Sequence, residues 1–177
     1  MDVLIGSIKD SGDRTEFESG AVRDMRIGKG RCDLLPLDVI SKYIELFISS
    51  SAATPLRPIV FFQLDGDVNK LYESLYLFTL RRDGWALNHS TMFLEVAKHF
   101  EEGCNKYGEN NWSKGIPAKV YIDSAIRHYL KFLRGDNDEP HDRAFCWNIL
   151  CCIWTCIHKP ELNSYIQSDN KEGTENE

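Results

Sequence analysis

The stretch DEPHDRAFCWNILCCIWTCIH, residues 138–158, decides the architecture. Phe145, Trp147, Ile149, Leu150, Ile153, Trp154 and Ile157 leave almost no polar side on a helical wheel. A helix that is apolar nearly all round must be covered on every side, so it predicts the central helix of a bundle. Asp138 can cap this helix, and Pro140 falls in its first turn, where a missing N–H costs nothing. Pro160 ends it after His158.

Working outward, the apolar spacing predicts a helix over about 118–133, followed by Gly135. Another is expected over Thr91–Tyr107, capped by Ser90, with Gly108 at its C′ position. Its expected core stripe is Phe93, Val96, Ala97, Phe100 and Cys104. A further helix is expected from about Asp67 to Arg82, facing inward through Val68, Leu71, Tyr72, Leu75 and Phe78. Pro36 opens one more, with Leu37, Ile40, Ile44, Phe47 and Ile48 on one face. RPIVFFQL (57–64) reads equally as a strand or a buried turn, and residues 1–20 read as a frayed start. The expected fold is an all-α bundle of about five helices, one domain over 1–160, with residues 161–177 a disordered acidic tail.

Composition narrows the function classes. The chain has 177 residues and a net charge of −6. Glu161, Asp169, Glu172, Glu175 and Glu177 stand against one Lys171 in the tail, so the body is close to neutral. That balance does not suit a duplex-DNA binder, which needs a basic face. No apolar run reaches the ~18 residues of a membrane span. Met1–Gly6 has no basic or long apolar region, so no secretion signal and a cytoplasmic location are expected. The six cysteines form no CxxC pair and read as buried, reduced thiols.

The polar groups of 95–148 are the informative ones. Glu95, Glu101 and Glu102 lie on one predicted helix, Asp123, Arg127 and His128 on the next, and Asp138, Glu139, His141 and Asp142 at the start of the last. Asp123 and Arg127 are i,i+4 and share a face, and Glu139 and Asp142 are i,i+3. Carboxylates converging from separate helices suit a hard divalent cation. The alternative is a solvated face of weak ion pairs. Lys106, Lys114, Arg127 and the basic window 23–31 can neutralise a polyphosphate. Trp112, in a polar loop, either stacks a base or closes the loop onto the core.

Three blocks, SGAVRDMRIGKGRCDLLP (19–36), FEEGCNKYGENNWSKGIP (100–117) and YIDSAIRHYLKFLRGDNDEPHDRAFCWNIL (121–150), resemble the phage-type dATP/dGTP diphosphohydrolases. These are similar to the MazG-like all-α nucleoside triphosphate pyrophosphohydrolases. Residues 50–92 fall outside the blocks and read as an insertion. The resemblance implies Mg²⁺- or Mn²⁺-dependent attack of water on the α-phosphate of a (deoxy)nucleoside triphosphate, by a homodimer or homotetramer. It implies catalytic roles for Glu101, Asp123, Arg127 and His128. It implies metal ligation by Glu101, Asp123, Asp138, Glu139 and His141, and nucleotide contacts from Lys29, Arg31, Lys106, Asn111, Trp112 and Lys114. One departure stands out. MazG-like proteins usually carry ExxE on the first metal helix, and here Lys98 precedes Glu101 at i−3. Glu95 and Glu102 are the alternative first-helix acids, and Glu139–Asp142 can supply the second motif, ExxD. The adjacent His141–Asp142 pair leaves an HD-type phosphohydrolase as another reading, and an inactive nucleotide-binding module as a third.

Overall fold

The computed structural model describes residues 12–24, 54–81 and 89–166. The expected helix opened by Pro36, the candidate contacts Lys29 and Arg31, Cys32 and most of the acidic tail lie outside them. Among the described residues the chain is all-α apart from one small hairpin. Its helices are α1 (Leu56–Asp65), α2 (Asn69–Arg81), α3 (His89–Tyr107), α4 (Ala118–Arg134) and α5 (His141–His158). Two short 3₁₀ turns, Asn111–Lys114 and Pro160–Leu162, complete it.

The α5 helix is central, as its pattern predicts. Phe145, Cys146, Ile149, Cys151 and Cys152 are fully or almost fully buried. It packs against α4, α3 and α2. Phe78 of α2 meets Phe145 with ring centroids 4.5 Å apart, and Tyr129 of α4 meets the same ring at 5.7 Å. Each such ring contributes roughly 1.5–3 kcal/mol by leaving water. Cys146, Cys151, Cys152 and Cys156 are free thiols in this core. Burial pushes the Cys146 and Cys151 thiols well up, so they stay protonated.

Five expectations need correction. RPIVFFQL is neither strand nor turn but most of α1. Its Pro58 falls in the first turn, where helix N–H groups have no intrahelical partner, so the ring costs no hydrogen bond. The α3 stripe is turned by one residue. Met92, Val96 and His99 are buried, while Phe93 is 54% exposed and Ala97 also faces outward. Tyr72 of α2 likewise points out. The described part of the expected frayed start is ordered at residues 14–16: Arg14–Glu16 pairs antiparallel with Val22–Asp24. Nor does Asp138 cap α5. Pro140 is the N-cap residue, without a side-chain cap, because the Asp138 carboxylate is bonded to His141 and Lys131.

A two-stranded hairpin is marginal by itself. This one is held by the bundle. Ala21 is fully buried, Asn111 bonds both the N–H and the C=O of Val22 (3.1 and 2.9 Å), and Ser19 Oγ donates to the Gly115 carbonyl at 2.5 Å. Gly135 ends α4 at φ 81°, and its N–H bonds back to the last turn. That left-handed turn suits glycine. It aims residues 136–140 back across the start of α5.

Candidate functional site

A cavity of about 690 Å³ opens between the hairpin, α3, the 108–116 loop, α4 and α5. That is an ordinary size for a small-ligand site. Phe100, Trp112 and Trp147 form an aromatic side, and Arg23, Arg127, His128, Lys131 and Glu139 a polar one.

The polar side is built where α4 meets the 136–140 loop. His128 Nδ1 and His141 Nδ1 lie 3.0 Å apart. Glu139 Oε1 is 3.6 Å from each of those nitrogens. On its other side, His141 Nε2 is 2.8 Å from Asp138 Oδ1. A carboxylate only accepts, which assigns the His141 proton to Nε2 and leaves a lone pair on Nδ1. His128 Nδ1–H therefore donates to it. Burial first, then His141, His99, Arg23 and Arg127, holds His128 well below its usual value, so its imidazole is neutral. Lys131 Nζ reaches Asp138 at 3.2 Å and Glu139 at 3.8 Å. Asp136 can join Asp138 and His141 in a second group of converging donors.

Arg23 lines the cavity from the hairpin. Its guanidinium donates to Asn148 Oδ1 at 2.7 Å and lies over the rings of Tyr121 and Trp147 at 5.6 and 5.8 Å. The residue is half-buried, no carboxylate pairs with it among the described residues, and its Nη1 is shut off from solvent without a hydrogen-bond partner. The neighbouring Asp24 is differently placed. It takes Lys106 at 2.9 Å, the Tyr107 hydroxyl at 2.8 Å and Arg14 at 3.1 Å. Beside Arg23, the His99 imidazole is held down at about 3, first by burial and then by Arg143 and Arg23.

The candidate residues of the sequence divide by location. His128, Glu139, His141 and Asp138 come together. Asp123 is buried in an ion pair with Arg127, one turn on, so it positions that arginine at the cavity wall. Glu101 is exposed and lines the cavity. Glu95 pairs with Lys98 on the surface at 2.5 Å, and Glu102 with the buried Arg143. Asp142 Oδ1 accepts the Arg143 backbone N–H at 2.8 Å rather than joining the histidines. Lys106 is engaged by Asp24, and Asn111 by Val22. Trp112 both lines the cavity and closes its loop onto the core, edge-on to Phe100 at 5.4 Å and Trp154 at 5.0 Å. Lys114 is exposed and does not line the cavity. Lys131, His99, Trp147 and Asn148 were absent from the candidates. Arg23 was legible only as part of a basic window.

Fold and site together define an α-helical bundle with a half-enclosed pocket of mixed charge. Residues 81–165 match the family described as dATP/dGTP diphosphohydrolase, N-terminal, the family that the KYGENNWSKGIP and SAIRH blocks resemble. The match contains α3 to α5 and begins at Arg81, so the hairpin and the 19–36 block lie outside it. No curated protein and no solved structure matches the chain. No helix among the described residues is long and apolar enough to cross a membrane.

Proposed function

We propose that the chain hydrolyses purine deoxynucleoside triphosphates to the monophosphate and pyrophosphate, water attacking the α-phosphate. The observation that supports this most, beside the family match, is Arg23. A guanidinium nitrogen shut off from solvent with no hydrogen-bond partner carries a desolvation cost, and an anionic ligand would offset it. Its place in the wall of a nucleotide-sized cavity suits a triphosphate, which it would meet with a fork of donors. Arg127, oriented by Asp123, and Lys131 extend the same basic wall. Phe100, Trp112 and Trp147 offer apolar faces to a base.

The reaction's Mg²⁺ or Mn²⁺ would arrive with the triphosphate; the residues that would hold a resident divalent cation are Glu139, His128 and His141, with Asp138 behind them. A cation there supplies a more acidic water and offsets charge on the leaving pyrophosphate. The neutral His128 imidazole could ligate through Nδ1 once its proton moves to Nε2, the tautomer change that would exchange the His128–His141 hydrogen bond for a shared ion. Glu101, at the exposed side of the cavity, adds a carboxylate where solvent enters. The resemblance extends the reading to a homo-oligomer, dimer or tetramer.

The test is a panel of dNTPs with Mg²⁺ or Mn²⁺, following both products. Purine dNMP and pyrophosphate are expected. Nucleoside plus triphosphate would point instead to HD-type chemistry. Thermal stabilisation without turnover would point to a binding module. No turnover of any purine dNTP removes the proposal.

A further inference from the structure

The donors that converge at the start of α5 do not form the oxygen cage that Mg²⁺ requires. Mg²⁺ takes oxygen ligands in a near-octahedral shell. Here two of the three converging donors are imidazole nitrogens. We propose that His128, Glu139 and His141 form a protein-held site for a borderline first-row cation of the Zn²⁺, Co²⁺ or Mn²⁺ class, filled before any nucleotide arrives.

Three observations carry it. The donor atoms make a closed triangle with sides of 3.0, 3.6 and 3.6 Å. Tetrahedral bonds of about 2.0–2.1 Å place neighbouring ligand atoms about 3.3 Å apart, so the triangle already has the edge length of a coordination face. The second observation is the support behind it. Asp138 holds the far nitrogen of His141 at 2.8 Å, the carboxylate–histidine arrangement that fixes a ligating tautomer and raises its basicity. The third is access. His141 is buried, while His128 and Glu139 both line the cavity, so an ion on this face keeps an open side toward the ligand space. Three protein donors with one open position is the pattern of catalytic rather than structural sites.

This goes beyond the proposed hydrolysis and rests on the donor set alone. A Mg²⁺ brought by the triphosphate would be a different ion from the one held here.

The experiment uses the untagged full chain, stripped with a chelator and titrated with Co²⁺ in the absence of nucleotide. One equivalent is expected to bind, with the intense visible bands of four- or five-coordinate Co²⁺. Zn²⁺ should displace it, and a thousand-fold excess of Mg²⁺ should not. His128→Asn and Glu139→Gln should each weaken binding at least ten-fold, and Asp138→Asn by about 10–100-fold. Circular dichroism and melting of the stripped proteins establish that each variant is folded. His158→Gln, on the exposed end of α5, should bind as the parent does. The proposal is overturned if the folded parent takes up no Co²⁺, if Mg²⁺ competes equally, or if folded His128→Asn binds like the parent. Co²⁺ uptake with no dNTP hydrolysis keeps this site and removes the hydrolase reading. Hydrolysis with Mg²⁺ by a chain that takes up no Co²⁺ does the reverse.

Discussion

The acids of α3 and the polar groups of the α4–α5 junction look alike in sequence and end differently. On α3, Glu95 is held by Lys98, Glu102 by Arg143, and Glu101 faces solvent at the cavity. At the junction, His128, Glu139 and His141 face one another. The number of acids on a helix therefore says little about chemistry. What decides it is which cation each acid meets after folding. Glu102 meets a buried arginine and becomes part of the scaffold. Glu139 meets two histidines, with Lys131 at 3.8 Å, and lines the cavity.

That contrast can be broken, beginning with its largest consequence. Glu102→Ala takes a carboxylate from Arg143, which is 1% exposed. Losing one member of such a pair costs about 3–5 kcal/mol. The thermal midpoint should fall by about 6–12 °C or more at 2–4 °C per kcal/mol. A midpoint within about 2 °C of the parent would show that Glu102 is not structural. Glu139→Gln should do the opposite: retain the melting profile and lower pyrophosphate release by a factor on the order of 10², about 2.7 kcal/mol of barrier. Retained activity would move the chemistry elsewhere.

A smaller effect concerns His99. Its folded pKa of about 3 lies below the ordinary 6.5, so the native state binds fewer protons than the unfolded chain between those values. Stability is therefore complete above about pH 6.5 and declines as pH falls toward 3, by at most about 1.4 kcal/mol per unit. Arg143 of α5 and Arg23 of the hairpin lower the pKa further in that direction. Urea melts of the parent and His99→Gln should diverge in slope over this window, and parallel slopes would refute the assignment. Smallest is Glu95→Gln on the surface of α3. It should change stability by less than about 0.5 kcal/mol and leave turnover unaltered. A large loss of activity would return Glu95 to the list of ligands.

The long helices were legible because their apolar spacing repeats over three or more turns. The α1 helix was not, since an eight-residue apolar run such as RPIVFFQL satisfies strand and helix equally. The hairpin strands are three residues each, and tertiary bonds such as Asn111 to Val22 hold them, which local pattern does not encode. At the site, the Asp123–Arg127 pair could be read from its i,i+4 spacing. Glu139 was grouped with Asp142 on the assumption that both lay on a helix. Pro140 places Glu139 before α5 and turns it toward His128. Arg23 and Asn148 are 125 residues apart, and nothing local announces their contact.

The seam between the hairpin and the bundle has a kinetic consequence. Arg23 reaches the cavity from a strand joined to the body through a few bonds from Asn111, Ser19 and Lys106. Such a segment opens locally at a lower free energy than the core unfolds. A ligand gripped by Arg23 ties the strand down from inside. The amides of the 14–24 segment should then exchange with deuterium quickly in the empty protein and slowly in the occupied one, while those of α5 change little. The hairpin becomes a reporter, and its exchange rate measures how often the ligand lets go.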